Sequence, residues 1–301
     1  MPLDVSSLKA ARDPRSSADL LRRLSRHPGW DIRMSVGWNV NAPEDALAYL
    51  ARDSSAWVRT ASAFNVNTPG RSLLSLSRDQ EWGVRTGVAF NSAAPKEALD
   101  SLTMDPSWDV RLGVSLNPSA SAESLIRLAE DRAALVRGGV SRNEVAPFEA
   151  LDVLTTDEDE RVRIGVACNG NATSSVLGKL ANDESGWVRY WVARNPAASE
   201  RTLAGFALLD DWGVRSGVAR NPSTPERVLY DLAHDQSADV RRGVLENPSC
   251  PVIAYERLAE DTLEDIRSLA LSVLAGGDIG RTEESAHEAD YDEYDEQALS
   301  R

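Results

Sequence analysis

Residues 221–247 read NPSTPERVLYDLAHDQSADVRRGVLEN, and this pattern recurs along most of the chain. Asn221-Pro222-Ser223 forms a turn; Thr224 is placed to cap a helix, Pro225 suits its first position, and Glu226 favours its dipole. Leu229 and Leu232, three apart, give this short first helix one apolar side. Asp235 closes the segment and stands where it can cap the next. Val240 and Val244, four apart with Gly243 between them, predict a short second helix. Asn247 ends it, a residue type that tolerates the left-handed conformation at helix termini.

Working outward, the arginine of this unit recurs every 26 residues, ten times in all: Arg33, Arg59, Arg85, Arg111, Arg137, Arg163, Arg189, Arg215, Arg241 and Arg267. Val or Ile precedes each one, and Asn follows at plus six in nine of the ten, from Asn39 to Asn247. Leu-x-x-Leu pairs keep the same step, as in Leu47/Leu50 and Leu177/Leu180. Glycine stands two residues after the arginine six times, as at Gly87 and Gly113, although it costs a helix roughly 1 kcal/mol relative to Ala. That repetition predicts second helices that approach too closely for a side chain. A strict period of this length predicts a solenoid, in which each unit buries its apolar face only against its neighbours. Asp13-Pro14 occupies the Asn-Pro place one period before Asn39, so the array is expected over residues 13–275, behind a lead-in of residues 1–12. Val273 in place of Asn marks a terminal unit.

The unit N-P-x-T-P-x-x-x-L-x-x-L-A-x-D-x-x-x-x-V-R-x-G-V-A-x-N resembles the leucine-rich repeat variant, a bacterial family, and is similar to HEAT repeats in its Leu-x-x-Leu, Asp and Val-Arg elements. The resemblance implies an all-α fold: a right-handed α-solenoid of about ten two-helix repeats, with α paired to short α or 3-10 helices and no β-sheet. One member of that family carries a cysteine-rich iron–sulfur segment. The two cysteines here, Cys168 and Cys250, are too few for it, and no cofactor is expected.

Bulk composition narrows the function. The net charge is −14, and residues 276–301 hold nine Asp or Glu against two Arg. So acidic a segment with so little aliphatic content is expected to be disordered. An acidic protein is a poor nonspecific nucleic-acid binder, because phosphate neutralisation needs a dense basic surface. No apolar run spans a bilayer, the N-terminal segment lacks the apolar core of a signal peptide, and two cysteines fit a reducing cytosol; a cytoplasmic location follows as an expectation. The three histidines, His27, His234 and His287, have no metal-ligand spacing, and neither a phosphate loop nor a nucleophile beside a base is present. No catalytic residue, metal or cofactor is assigned.

An Asp lies six residues before eight of the ten arginines, which suits a row of internal bonds between units better than an anion-binding row. Partner binding is therefore expected where the repeat varies. All eight tryptophans fall in second-helix segments. The candidate partner-binding residues are Trp30, Trp38, Trp57, Phe64, Trp82, Phe90 and Trp108 in the early units, then Arg142, Trp187, Tyr190, Arg194, Trp212, Arg220 and Arg242. Trp, Tyr and Arg are enriched at interface hot spots, yet large aromatics also fill gaps between helices. The expected function is a non-enzymatic protein- or peptide-binding scaffold. A glycosylase-like solenoid acting on nucleic acid and a structural spacer are the alternatives. The acidic segment, with Tyr291 and Tyr294, is a further candidate to lie back on the arginine-bearing face.

Overall fold

A computed structural model describes residues 4–276. The acidic segment, from residue 277 on, lies outside the described residues, and with it the expectation that it is disordered or folds back. Among the described residues there are 21 helices and no strand, an all-α solenoid. They divide into two compact units, Met1–Ala197 and Ala198–Arg301, each described by itself.

In the first unit seven repeats follow one another. Their first helices are Ala18–Leu24, Glu44–Leu50, Gly70–Leu76, Lys96–Leu102, Ala122–Leu128, Phe148–Leu154 and Ser174–Leu180. The second helices are Trp30–Gly37, Ala56–Phe64, Trp82–Phe90, Trp108–Leu116, Ala134–Arg142, Glu160–Cys168 and Gly186–Arg194. Each second helix packs on the next. The lead-in is itself helical, Val5–Arg12, and packs on Trp30–Gly37 as an additional second helix would. The second unit holds Glu200–Phe206 with Trp212–Arg220, Glu226–Leu232 with Ala238–Glu246, and Val252–Leu258 with a longer final helix, Glu264–Leu274.

Helices of seven to nine residues are too short to persist alone, so burial of one side must hold them. Leu47, Leu50, Leu73, Leu99, Leu125 and Leu151 are fully buried, as are Val58, Val84 and Val110. Each such side chain contributes roughly 1.5–3 kcal/mol relative to exposure. The second helices meet through small residues. A Cβ added to Gly87 would stand 2.8 Å from the Ala63 Cβ, and one on Gly113 would stand 2.7 Å from the Ala89 Cβ. Position plus four of one repeat thus presses on position plus two of the next. In the first pair the sizes are exchanged: Gly37 faces Ala61.

Two local expectations change. The hydroxyl of Thr224 does not cap the helix that follows; it donates to the Val218 carbonyl at 2.6 Å, and Thr68 donates to Ser62 in the same way. Asn247 is extended, with φ −70° and ψ 127°, rather than left-handed. Its amide is committed to the preceding repeat, which fixes the backbone there.

Candidate functional site

The repeated polar residues are spent inside the framework. Arg111 donates from Nε to Asp131 Oδ2 at 2.5 Å, from Nη2 to Asp131 Oδ1 at 2.9 Å and from Nη1 to the Asp105 carbonyl at 2.7 Å. The carboxylate partner therefore belongs to the following repeat, while the residue six before the arginine, an Asp in eight repeats and His27 or Leu209 in the other two, supplies its carbonyl. The same fork joins Arg33 to Asp53, Arg59 to Asp79, Arg85 to Asp105, Arg137 to Asp157 and Arg163 to Asp183. In the second unit it joins Arg215 to Asp235 and Arg241 to Asp261. Bidentate pairs of this kind are the strong ones. Burial raises the Asp131 carboxyl, but the Arg111 bonds and the Ala133 N–H together outweigh it and hold it below the ordinary value. Asn117 makes a second row: Nδ2 donates to the Ala89 and Asn91 carbonyls at 2.8 and 2.9 Å, and Oδ1 accepts the Ser119 N–H.

Relative to the repeated arginine, positions minus three, plus one and plus five are four residues apart and so share one side of each second helix. In repeat 1 this ridge is Trp30, Met34 and Trp38; in repeat 3 it is Trp82, Thr86 and Phe90; in repeat 4, Trp108, Leu112 and Leu116. Repeat 2 carries Thr60 and Phe64 there, with Trp57 one position further on. Seven of the eight tryptophans are 43–68 % exposed: Trp30, Trp38, Trp57, Trp82, Trp108, Trp187 and, in the second unit, Trp212. The eighth, Trp191, is 8 % exposed and occupies position plus two, where six repeats carry Gly.

Packing and exposure are divided among the aromatics. Phe64 lies over Gly87 and Phe90 over Gly113, with ring carbons 2.9 Å from where a Cβ would stand. These phenylalanines fill the space that the glycines leave. Trp38 stacks on Phe64, centroids 5.5 Å apart and planes 29° apart, so repeats 1 and 2 present one joined aromatic surface.

The ridge changes in repeats 5 to 7. Position plus five becomes Arg142, Cys168 and Arg194. Arg142 is exposed, and its Nη1 donates to the Gly138 carbonyl at 3.2 Å; Arg194 is half-buried. Tyr190 meets Trp187 and Trp191 edge-on, at 6.1 and 5.3 Å between centroids. Burial pushes the Cys168 thiol up to about 12 although Arg142 and Arg194 both pull it down. In the second unit Arg220 is half-buried, with its Nε 3.4 Å from Glu246 and further bonds to Ser216 and the Asp239 carbonyl. Arg242 bonds both Asp239 and Asp265. The arginines that the sequence offers for an acidic partner are thus partly engaged already.

The ridge of repeats 1–4 is marked as well by what it lacks. From the ladder aspartate, or His27, to the turn after the second helix, segments 27–41, 53–67, 79–93 and 105–119 hold no lysine, and no arginine but the paired ladder residue. They do hold Asp31, Glu81 and Asp109, of which Glu81 is exposed and the other two are half-buried. Comparing those spans with 131–145, which carries Arg132 and Arg142, exposes the signal in the sequence alone.

No family model matches the chain, and no curated protein does. Among solved structures it is similar to a leucine-rich repeat variant with a novel repetitive structural motif, at 26 % identity over 76 % of this chain and 85 % of that one, with a TM-score of 0.50. An engineered protein matches at 13 % identity over 90 % of this chain and 93 % of its own, with a TM-score of 0.35. A computationally designed armadillo repeat protein for modular peptide recognition matches at 14 % identity, 91 % and 99 % coverage and a TM-score of 0.17.

Proposed function

We propose that this chain, an all-helical solenoid built like the leucine-rich repeat variant, is a non-enzymatic scaffold that binds a protein or extended peptide along the ridge of its second helices. The observation that carries this reading is the contrast between framework and ridge. Ladder arginines and asparagines use their polar atoms on neighbouring repeats, and valines and leucines fill the core. The seven exposed tryptophans instead leave about half of their surface to solvent. Rows of half-exposed indoles on a rigid, periodic support are what a recognition surface needs, since they offer large contact area at low entropic cost. The nucleic-acid alternative demands a run of basic side chains on the same ridge, and repeats 1–4 offer none beyond the paired ladder arginines.

The test is selection of random twelve-residue peptides against the full chain. Recovered peptides are then titrated calorimetrically against the chain carrying Trp57→Ala, Trp82→Ala and Trp187→Ala. The reading expects at least a tenfold loss of affinity at unchanged melting temperature. Peptides that bind parent and variant equally return these tryptophans to ordinary surface and move the search to another face.

A further inference from the structure

The ridge is not uniform in charge, and that asymmetry selects among peptides. Resting on the reading of the ridge as a recognition face, we propose that repeats 1–4 take an extended segment bearing arginine or lysine, whose cationic groups lie over the indoles.

Four observations carry the choice. Trp30, Trp38, Trp82 and Trp108 are exposed on one side of their helices, and Trp57 stands beside them. An indole face attracts a guanidinium or ammonium group through its quadrupole, and tryptophan does so best among side chains. Next, Asp31, Glu81 and Asp109 fringe this row and no exposed cation answers them within the four spans. The ladder arginines Arg33, Arg59, Arg85 and Arg111 are each neutralised by a bidentate aspartate, so they leave the local sign negative. Finally, cations bracket the stretch rather than enter it. Arg12 of the lead-in helix, with Nε 3.4 Å from Ser35 Oγ, precedes it, and Arg142 follows it.

The nearest other cations in sequence, Arg26, Arg52 and Arg78, stand at the ends of first helices. Arg26 there lies 5.4 Å over the ring of Tyr49, a residue of the next first helix. That contact is a cation–aromatic pair already made within the fold. An acidic segment, by contrast, meets carboxylates and π faces along repeats 1–4, both of which repel it, and no unpaired cation within the four spans attracts it. Adjacent second helices stand about 8–10 Å apart, and an extended chain advances about 3.3 Å per residue, so roughly ten to twelve residues span the four repeats.

The probe is a fluorescent twelve-residue Arg-Ser alternating peptide, set against the same peptide with citrulline or glutamate for arginine, all titrated by anisotropy into the full chain. Binding is expected for the arginine form, at least tenfold weaker for citrulline and absent for glutamate. Two variants assign the site. Trp82→Leu with Trp108→Leu keeps apolar bulk but removes the π faces, and is expected to weaken binding by roughly two- to fivefold per indole. Glu81→Gln with Asp109→Asn is expected to weaken it further and to flatten its salt dependence. Both variants keep residues 277–301 intact, so arginine-peptide binding that is unweakened in both lies off the ridge, as it would on that acidic segment, and overturns the proposal. Equal binding of the citrulline form overturns it too. If the selected peptides need the tryptophans but carry no basic residues, the recognition face stands and the cation preference falls.

Discussion

Repeats 1–4 and repeats 5–7 are built on one framework and differ along one ridge. Both stretches carry the same arginine–aspartate fork, in Arg59–Asp79 as in Arg137–Asp157, and the same asparagine bonds, in Asn91 as in Asn169. Yet the first stretch shows tryptophans fringed by carboxylates, and the second shows Arg142 and Arg194 acting on a half-buried thiol, with Tyr190 edge-on to Trp187. The comparison teaches that a ladder which neutralises its own charge hands control of surface sign to the variable positions. One substitution per repeat can then change that sign without breaking the fork.

The largest expected effect tests whether the framework is as uniform as its geometry. Asp79→Ala leaves Arg59 with a half-buried guanidinium and no bonded carboxylate, and Asp157→Ala leaves the buried Arg137 only the exposed Glu158, 3.3 Å from its Nη2. Removing one partner of a buried pair costs about 3–5 kcal/mol, because the remaining charge has lost its solvent and its counterion together. Both variants should fall by similar amounts in urea unfolding of the full chain. A large loss in one stretch only would mean that the ladder is decorative in the other, and the shared-framework half of the comparison would break.

The next effect is smaller and tests the close approach of second helices. Gly113→Ala places a Cβ 2.7 Å from that of Ala89 and 2.9 Å from the Phe90 ring; Gly165→Ala places one 2.9 Å from the Ser141 Cβ. Each should cost about 1–3 kcal/mol by overpacking. Gly178 lies within the first helix Ser174–Leu180 with nothing within 4 Å of its added Cβ. Gly178→Ala should therefore stabilise by up to about 1 kcal/mol, the ordinary helix-propensity gain. Thermal melts of the three variants give opposite signs if the glycines after the arginine are there for contact. Equal signs would remove that account.

Much of this was legible in the sequence, and the errors share a cause. Periodicity told which residues repeat, and from Leu47/Leu50 and Val240/Val244 where the helices lie, because burial repeats with the helix turn. It did not tell which neighbour each repeated residue meets. The carboxylate partner of eight of the ten ladder arginines lies 20 residues ahead, not six behind, and Thr224 reaches back to Val218 instead of forward to its own helix. A fixed offset in a repeat is ambiguous by whole periods, so contact between units has to be seen. Burial of Trp191 against exposure of Trp187 is the same lesson within one helix: the register decides, not the residue type. The cation-free spans escaped notice because an absent residue type becomes a signal only once the ridge is known to be one surface.

The smallest expected effect concerns the second stretch alone. Cys168 sits in the plus-five row between Arg142 and Arg194. Two guanidinium groups lower a thiol, and burial raises it; here burial prevails and the thiol rests at about 12, with Cys250 at about 11 for the same leading reason. Alkylation proceeds through the thiolate, so at pH 8 the folded chain should label at Cys168 about a thousandfold more slowly than the chain unfolded in urea. Peptide-resolved mass spectrometry after iodoacetamide treatment reads both cysteines at once, and Cys250 should react the faster in the folded chain. The reverse order would show the arginine field outweighing burial. Repeats 5–7 would then present an electropositive, anion-attracting row, and the contrast with the carboxylate-fringed tryptophans of repeats 1–4 would be one of opposite sign rather than of degree.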